Sequence, residues 1–216
     1  MLDFSTVSSE VLLRAQSECV LVPLGVLFEK ETVAQVMADE TLRPFFGLLL
    51  QNELMPLLPE AGRNEAVMNT CRVLSAKAIS PRTDDRLDGL IGDFKSLLLP
   101  HISTKTPFLM IALCAVIMLF CGARKSGEHY TVIGWQGDNV PLKKDQDALY
   151  MFSRLSCDMS PDSLAYAVLS DEAVWGRDLR QIEGMEEAVT DILRDIQLLG
   201  LYEVIVRAVK KGGMKL

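Results

Sequence analysis

Apolar residues recur at helical spacing through most of the chain, and the interruptions fall where proline, glycine and short polar residues gather. Ser8 and Ser9 precede Glu10 and cap a first helix running through Val11 and Leu12 toward Phe28. Pro23 lies inside that helix and is expected to kink or split it. Thr32 opens a short helix over Val33 to Met37. Asp39 caps a longer one with Leu42, Phe45, Phe46, Leu49 and Leu50 inward and Pro44 near its first turn. The prolines of Leu54 to Pro59 end it. Asn64 to Ile79 reads as the next helix, on Val67, Met68, Cys71 and Leu74. Ser80 through Asp85 is a break and a fresh cap, after which Leu87, Leu90, Ile91, Phe94, Leu97 and Leu98 return at helical spacing.

Pro107 to Ala123 is 17 residues without a charge, flanked by Lys105 and Arg124. A spanning helix needs about 20 apolar residues. The segment is therefore expected to be a central helix buried on all sides, with no membrane partner. The start, Met1-Leu2-Asp3-Phe4, has no basic or apolar leader, so a secretory signal is not expected and the cytoplasm is the expected location. Gly122 to Asp147 differs in character. His129-Tyr130-Thr131-Val132-Ile133 and Asn139-Val140-Pro141-Leu142 flank Gly134-Trp135-Gln136-Gly137-Asp138, the pattern of a small surface β-hairpin. A helix over Asp147 to Cys157 follows. Ser160-Pro161-Asp162-Ser163 then starts one reaching Leu169, and Ser170-Asp171-Glu172 starts a short one with Val174 and Trp175. The last helix is expected from Met185 to Val209, with Gly200 as its weak point.

The chain has 216 residues, 49% hydrophobic and 24% charged, enough to build a core rather than a disordered chain. Acidic residues outnumber basic ones 29 to 22, for a net charge of -7, which argues against nucleic-acid binding. Lys210, Lys211 and Lys215 form the one basic cluster, where a helix C-terminus favours positive charge. Cys19, Cys71, Cys114, Cys121 and Cys157 show no Cys-x-x-Cys spacing and read as reduced thiols. The only histidines, His101 and His129, have no spacing to a cysteine pair, so no metal site is expected. They read as loop residues without a catalytic companion. Dinucleotide, P-loop, nucleophile-elbow and His-Glu-x-x-His motifs are absent. The residues alone therefore give a helical domain with no self-sufficient active site.

Four stretches form a collinear set. The first is Val22-Pro23-Leu24-Gly25 through Glu31-Thr32-Val33 and Met37-Ala38-Asp39, and the second is Glu53-Leu54-Met55-Pro56. The third is Phe94-Lys95 to Leu99-Pro100 with Ile111-Ala112-Leu113 to Gly122. The fourth is Ala173-Val174-Trp175-Gly176-Arg177-Asp178-Leu179 with Ile182-Glu183-Gly184-Met185. Together they resemble the C-terminal, substrate-side domain of the mannitol dehydrogenase family of polyol and uronate oxidoreductases, and its tagaturonate reductase (altronate oxidoreductase) branch in particular. The resemblance covers roughly residues 10 to 205. Lys144-Asp145 after the hairpin is also similar to that branch.

The resemblance implies an all-α, multi-helical domain like the C-terminal domain of 6-phosphogluconate dehydrogenase. It would span residues 1–216 as one helical domain, with the hairpin inserted at about 127–143. Family enzymes add an N-terminal Rossmann domain that binds NAD, for which this chain has no counterpart. NAD is thus expected only through a separate Rossmann subunit. The family's catalytic helix carries Lys, then Asn five residues later, then His three after that. Anchored on Val22-Pro23, those positions hold Glu10, Ala15 and Glu18. A carboxylate has the wrong charge for a developing alkoxide, and alanine donates no hydrogen bond. A second family element, a Lys-His pair, falls at Ser80-Pro81. Lys77, Arg124 and Arg177 lie in segments that would approach the cleft and are candidate ligands for a sugar acid, although each alone reads as surface charge.

The expectation is a stand-alone, non-catalytic relative serving as a partner or binding module. One alternative is the substrate-domain subunit of a split NAD-dependent oxidoreductase acting on a hexuronate or polyol. Another is a decayed product without a role. A face left bare by the missing domain would favour a homo-oligomer or a separate protein subunit.

Overall fold

The computed structural model describes residues 8–78 and 80–213. Lys215, the N-terminal tetrapeptide and the expected helix end at Ile79 lie outside the described residues. Helix α1 (Ser9–Leu27) starts on Ser8, whose hydroxyl accepts the Val11 N–H. It runs unbroken through Pro23, so proline does not split it. Val20 through Val26 are all buried, so packing on every side holds the turn that proline weakens. Helix α2 (Val33–Ala38) starts on Thr32 as expected. At α3 (Leu42–Leu49), Asp39 Oδ1 accepts the Thr41 and Leu42 N–H groups, so the expected capping residue does the work from three residues before the first helical position. The chain then widens into a π-helical turn (Leu50–Leu54) and tightens into a 3-10 turn (Met55–Leu57).

Helix α4 (Arg63–Leu74) ends earlier than the periodicity predicted, and α5 (Leu90–Leu97) starts later, after a 3-10 turn at Asp84–Arg86. Helix α6 (Pro107–Phe120) is the buried apolar helix: every residue but Pro107 and Met118 is buried. It packs on α1 and α3 from the first half of the chain, and Phe45 meets Phe108 edge-on at 5.5 Å. Among the described residues no helix is long and apolar enough to cross a membrane.

The expected hairpin is a three-stranded antiparallel sheet, β1 (Arg124–Ser126), β2 (His129–Ile133) and β3 (Asn139–Leu142) in that order. Strand β1 pairs Arg124 with Thr131 and is exposed along its length, so no alternation of polar and apolar residues announced it. Gly134 allows the turn to close: a Cβ there would sit 2.7 Å from Val140 Cγ2 and 2.9 Å from Asp84 Oδ1. The second half follows as α7 (Gln146–Phe152), α8 (Pro161–Leu169), α9 (Glu172–Trp175), α10 (Met185–Leu199) and α11 (Leu201–Gly213). The expected long last helix is two, because Gly200 adopts φ 83° and breaks it. Helices α10, α11 and α7 pack on α6, which joins the two halves of the core.

Candidate functional site

The positions singled out on α1 lie on a helix enclosed by α2, α4, α5 and α6. Glu10, Arg14 and Glu18 follow one another at i, i+4 spacing and so share a row. Glu10 Oε2 accepts a hydrogen bond from Asn69 Nδ2 of α4 at 3.2 Å. Glu18 keeps only 15% of its side chain exposed and is paired twice, with Arg14 Nε at 3.0 Å and Arg86 Nε at 3.5 Å. Ala15 is half-buried. Beside it, Gln16 donates through Nε2 to Leu97 O at 3.1 Å, while its Oε1 has no partner. The row is thus two anchored carboxylates around an arginine, with the Ala15 methyl beside it.

Ser80-Pro81 has a structural task. Ser80 Oγ accepts the Ala34 N–H at 2.7 Å and Pro81 O accepts that of Val33 at 3.2 Å, which ties the segment to the start of α2. Lys77, Arg124 and Arg177 are exposed and lie on separate elements: the turn after α4, strand β1 and the loop after α9. Arg124 lines a cavity of about 860 Å³ between the sheet and the C-terminal ends of α1 and α6; Lys77 and Arg177 do not. His101 is exposed, and its partial burial lowers its pKa. His129 opens β2. Among the described residues no group of three or more His, Cys, Asp or Glu side chains is placed to hold a metal ion.

Sequence reasoning missed what Glu53 does. It sits in the π-helical turn, 5% exposed, and its carboxylate accepts the Phe108 N–H at 2.9 Å and the Leu109 N–H at 2.7 Å. These are orphan donors at the start of α6, whose own N-cap, Thr106, makes no side-chain cap. Burial pushes the Glu53 carboxyl up to about 7, and the two N–H groups oppose that shift. Glu53 also borders a cavity of about 620 Å³ with Lys105, Asp195, Arg207 and Lys211 on its walls. Asp145 does the same for α5: its Oδ2 accepts the Ile91 and Gly92 N–H groups at 3.1 and 3.2 Å. Arg180 was missed as well. It is bidentate to Asp178, at 3.0 and 2.7 Å, and lies 4.2 Å over the Tyr166 ring.

No family model matches the sequence. Altronate oxidoreductase of Klebsiella pneumoniae (strain 342) is 26% identical over 201 residues, covering 86% of this chain and 39% of the relative. Altronate oxidoreductase of Bacillus subtilis (strain 168) is 21% identical over 201 residues, covering 89% and 39%. The chain is similar to the C-terminal part of altronate oxidoreductases. It therefore spans about two-fifths of the length of these relatives. Among solved structures, mannitol 2-dehydrogenase of Pseudomonas fluorescens, in a ternary complex with NAD and D-mannitol, superposes with a TM-score of 0.68 at 15% identity. That match covers 98% of this chain and 42% of the enzyme, and it establishes the fold. The helical architecture implied by the resemblance is thus present.

Proposed function

We propose that this chain is a catalytically silent counterpart of the substrate-side domain of the altronate oxidoreductases, acting as a partner or binding module. The α1 row carries the reading. Hydride delivery to a carbonyl builds negative charge on oxygen, and a site for it aims cations or hydrogen-bond donors at that oxygen. Here Glu10 brings an anion, Ala15 brings no donor, and Glu18 is engaged by Arg14 and Arg86. A partner role draws support from the same end of the molecule. Val11 on α1 is 59% exposed and Met68 on α4 is 66% exposed, each one residue from the Glu10–Asn69 hydrogen bond. Bare apolar side chains bordering the modified row suit a protein neighbour or a second copy.

The test is a nicotinamide assay of the chain, alone and mixed with the isolated cofactor-binding domain of an altronate oxidoreductase. Tagaturonate and fructuronate are the oxidised substrates, and altronate and mannitol the reduced ones. The reading predicts no turnover above the blank in either arrangement. Turnover by the chain alone overturns it, and turnover only in the mixture replaces it with the split-oxidoreductase reading.

A further inference from the structure

The cavity of about 620 Å³ that Glu53 borders is within the range of about 300–1,000 Å³ that small-ligand sites occupy. It is bounded by the π-helical turn, the start of α6, α10 and α11. Helix α11 forms one wall. Its Val204, Arg207, Ala208 and Lys211 stand at i, i+3, i+4 and i+7, so one face presents two apolar side chains and two cations together. Ile111 of α6 and Ile192 of α10 extend the apolar lining. Gly212 lets the last turn of α11 close in: a Cβ there would sit 2.9 Å from Phe108 Cζ and 3.0 Å from Leu48 Cδ1.

Lys105 brings a third cation to the cavity from the turn before α6. That turn is fixed: Lys105 N–H donates to Ser103 Oγ at 3.2 Å, and Thr106 N–H donates to Ser103 O at 3.0 Å. The helix dipole favours a lysine at the end of α11, but it gives no reason for Lys105, on another element, to meet the same space. Among the described residues neither Lys105 nor Lys211 is in an ion pair, and Arg207 donates Nε–H to Glu203 at 2.9 Å, which leaves its terminal N–H groups for another partner. Of the carboxylates on the walls, Asp195 is exposed and Glu53 is buried. Glu53 already accepts the Phe108 and Leu109 N–H groups, so the start of α6 is not the seat of a ligand. What the cavity offers is an apolar lining beside three cations on two separate elements.

We propose that this cavity binds a small organic carboxylate with an apolar body, such as a medium-chain alkanoate. Lys105, Arg207 and Lys211 hold the head group, and Ile111, Ile192, Val204 and Ala208 receive the tail. The two terminal nitrogens of Arg207 match the two oxygens of a carboxylate, and the lysines add point charges. A bare anion leaves the apolar lining wet, and a neutral chain of the same length leaves the cations unused. None of Glu10, Ala15 and Glu18 borders the cavity, so the inference stands apart from the α1 row.

Isothermal titration calorimetry of the full chain tests this with octanoate as the probe and acetate, octan-1-ol and octylammonium as comparisons. Octanoate is expected to saturate one site per chain and to bind about tenfold or more tightly than each of the three. Arg207→Gln and Lys211→Gln are each expected to weaken octanoate by about three- to tenfold. Lys210→Gln removes the same charge from the adjacent position, which does not border the cavity, and is expected to change the affinity by less than about twofold. All three side chains are exposed, so none of these variants removes part of the core. The proposal is overturned if octanoate does not saturate, if it binds no more tightly than acetate, octan-1-ol or octylammonium, if neither Arg207→Gln nor Lys211→Gln weakens it, or if Lys210→Gln weakens it as much as Lys211→Gln.

Discussion

Glu53 and Glu18 are both poorly exposed carboxylates, and the fold treats them in opposite ways. Among the described residues, Glu53 has two backbone N–H groups and no ion pair, and its carboxyl is pushed up toward neutrality. Among the same residues Glu18 has two guanidinium groups and no backbone donor. The first belongs to the Glu53-Leu54-Met55-Pro56 stretch, one of those that carry the resemblance; the second is one of the α1 positions that the resemblance singled out. The first is tied to the backbone it supports, the second to side chains of a part-exposed row. Gly25 sides with Glu53. A Cβ there would overlap the buried Thr83 methyl and touch Val36 Cγ2 at 3.0 Å, so the close approach of α1 to α2 needs glycine.

The comparison is broken most sharply at Glu53. Glu53→Ala leaves two buried donors without a partner and is expected to cost about 2–3 kcal/mol in chemical denaturation. A loss below about 0.5 kcal/mol would remove the architectural role. The raised pKa also gives a pH signature. A carboxyl held higher in the folded state than its ordinary 4.5 stabilises fully below that pH and loses the contribution as pH rises through about 7. The stability difference between the unmodified chain and Glu53→Gln should therefore shift against the unmodified chain across that interval, and a flat difference contradicts it.

Gly25→Ala is expected to cost about 1–2 kcal/mol, since overpacking against Thr83 outweighs alanine's better helix propensity. An increase in stability would show that α2 gives way freely. Glu18→Gln and Arg86→Ala should each change stability by less than about 1 kcal/mol, because Arg86 is half exposed and its pair is screened. A larger loss at Glu18 would make it architectural too and blur the contrast.

The elements read best from sequence were those whose signals are local. Helix α6 is uniformly apolar, and Ser160-Pro161 supplies both a cap and a proline at the first helical position. Gly200 was visible as a weak point, but only its φ of 83° turns a weak point into a break. Strand β1 is too polar to alternate, and the π-helical turn over Leu50–Leu54 has no periodicity of its own. At the candidate site, Glu10, Ala15 and Glu18 were legible only through resemblance, since each alone is an ordinary helix residue. The task of Glu53 was not legible, because its partners lie 55 and 56 residues away. Residue type announces a capacity; which backbone it meets is decided by packing.

The most direct measurement compares nicotinamide-coupled reduction of tagaturonate by the unmodified chain and by Glu10→Lys/Ala15→Asn/Glu18→His, each supplied with the same cofactor-binding domain. The account predicts no rate above the blank for the unmodified chain, whatever the substituted one does. Turnover by the unmodified chain that is saturable in tagaturonate would contradict it.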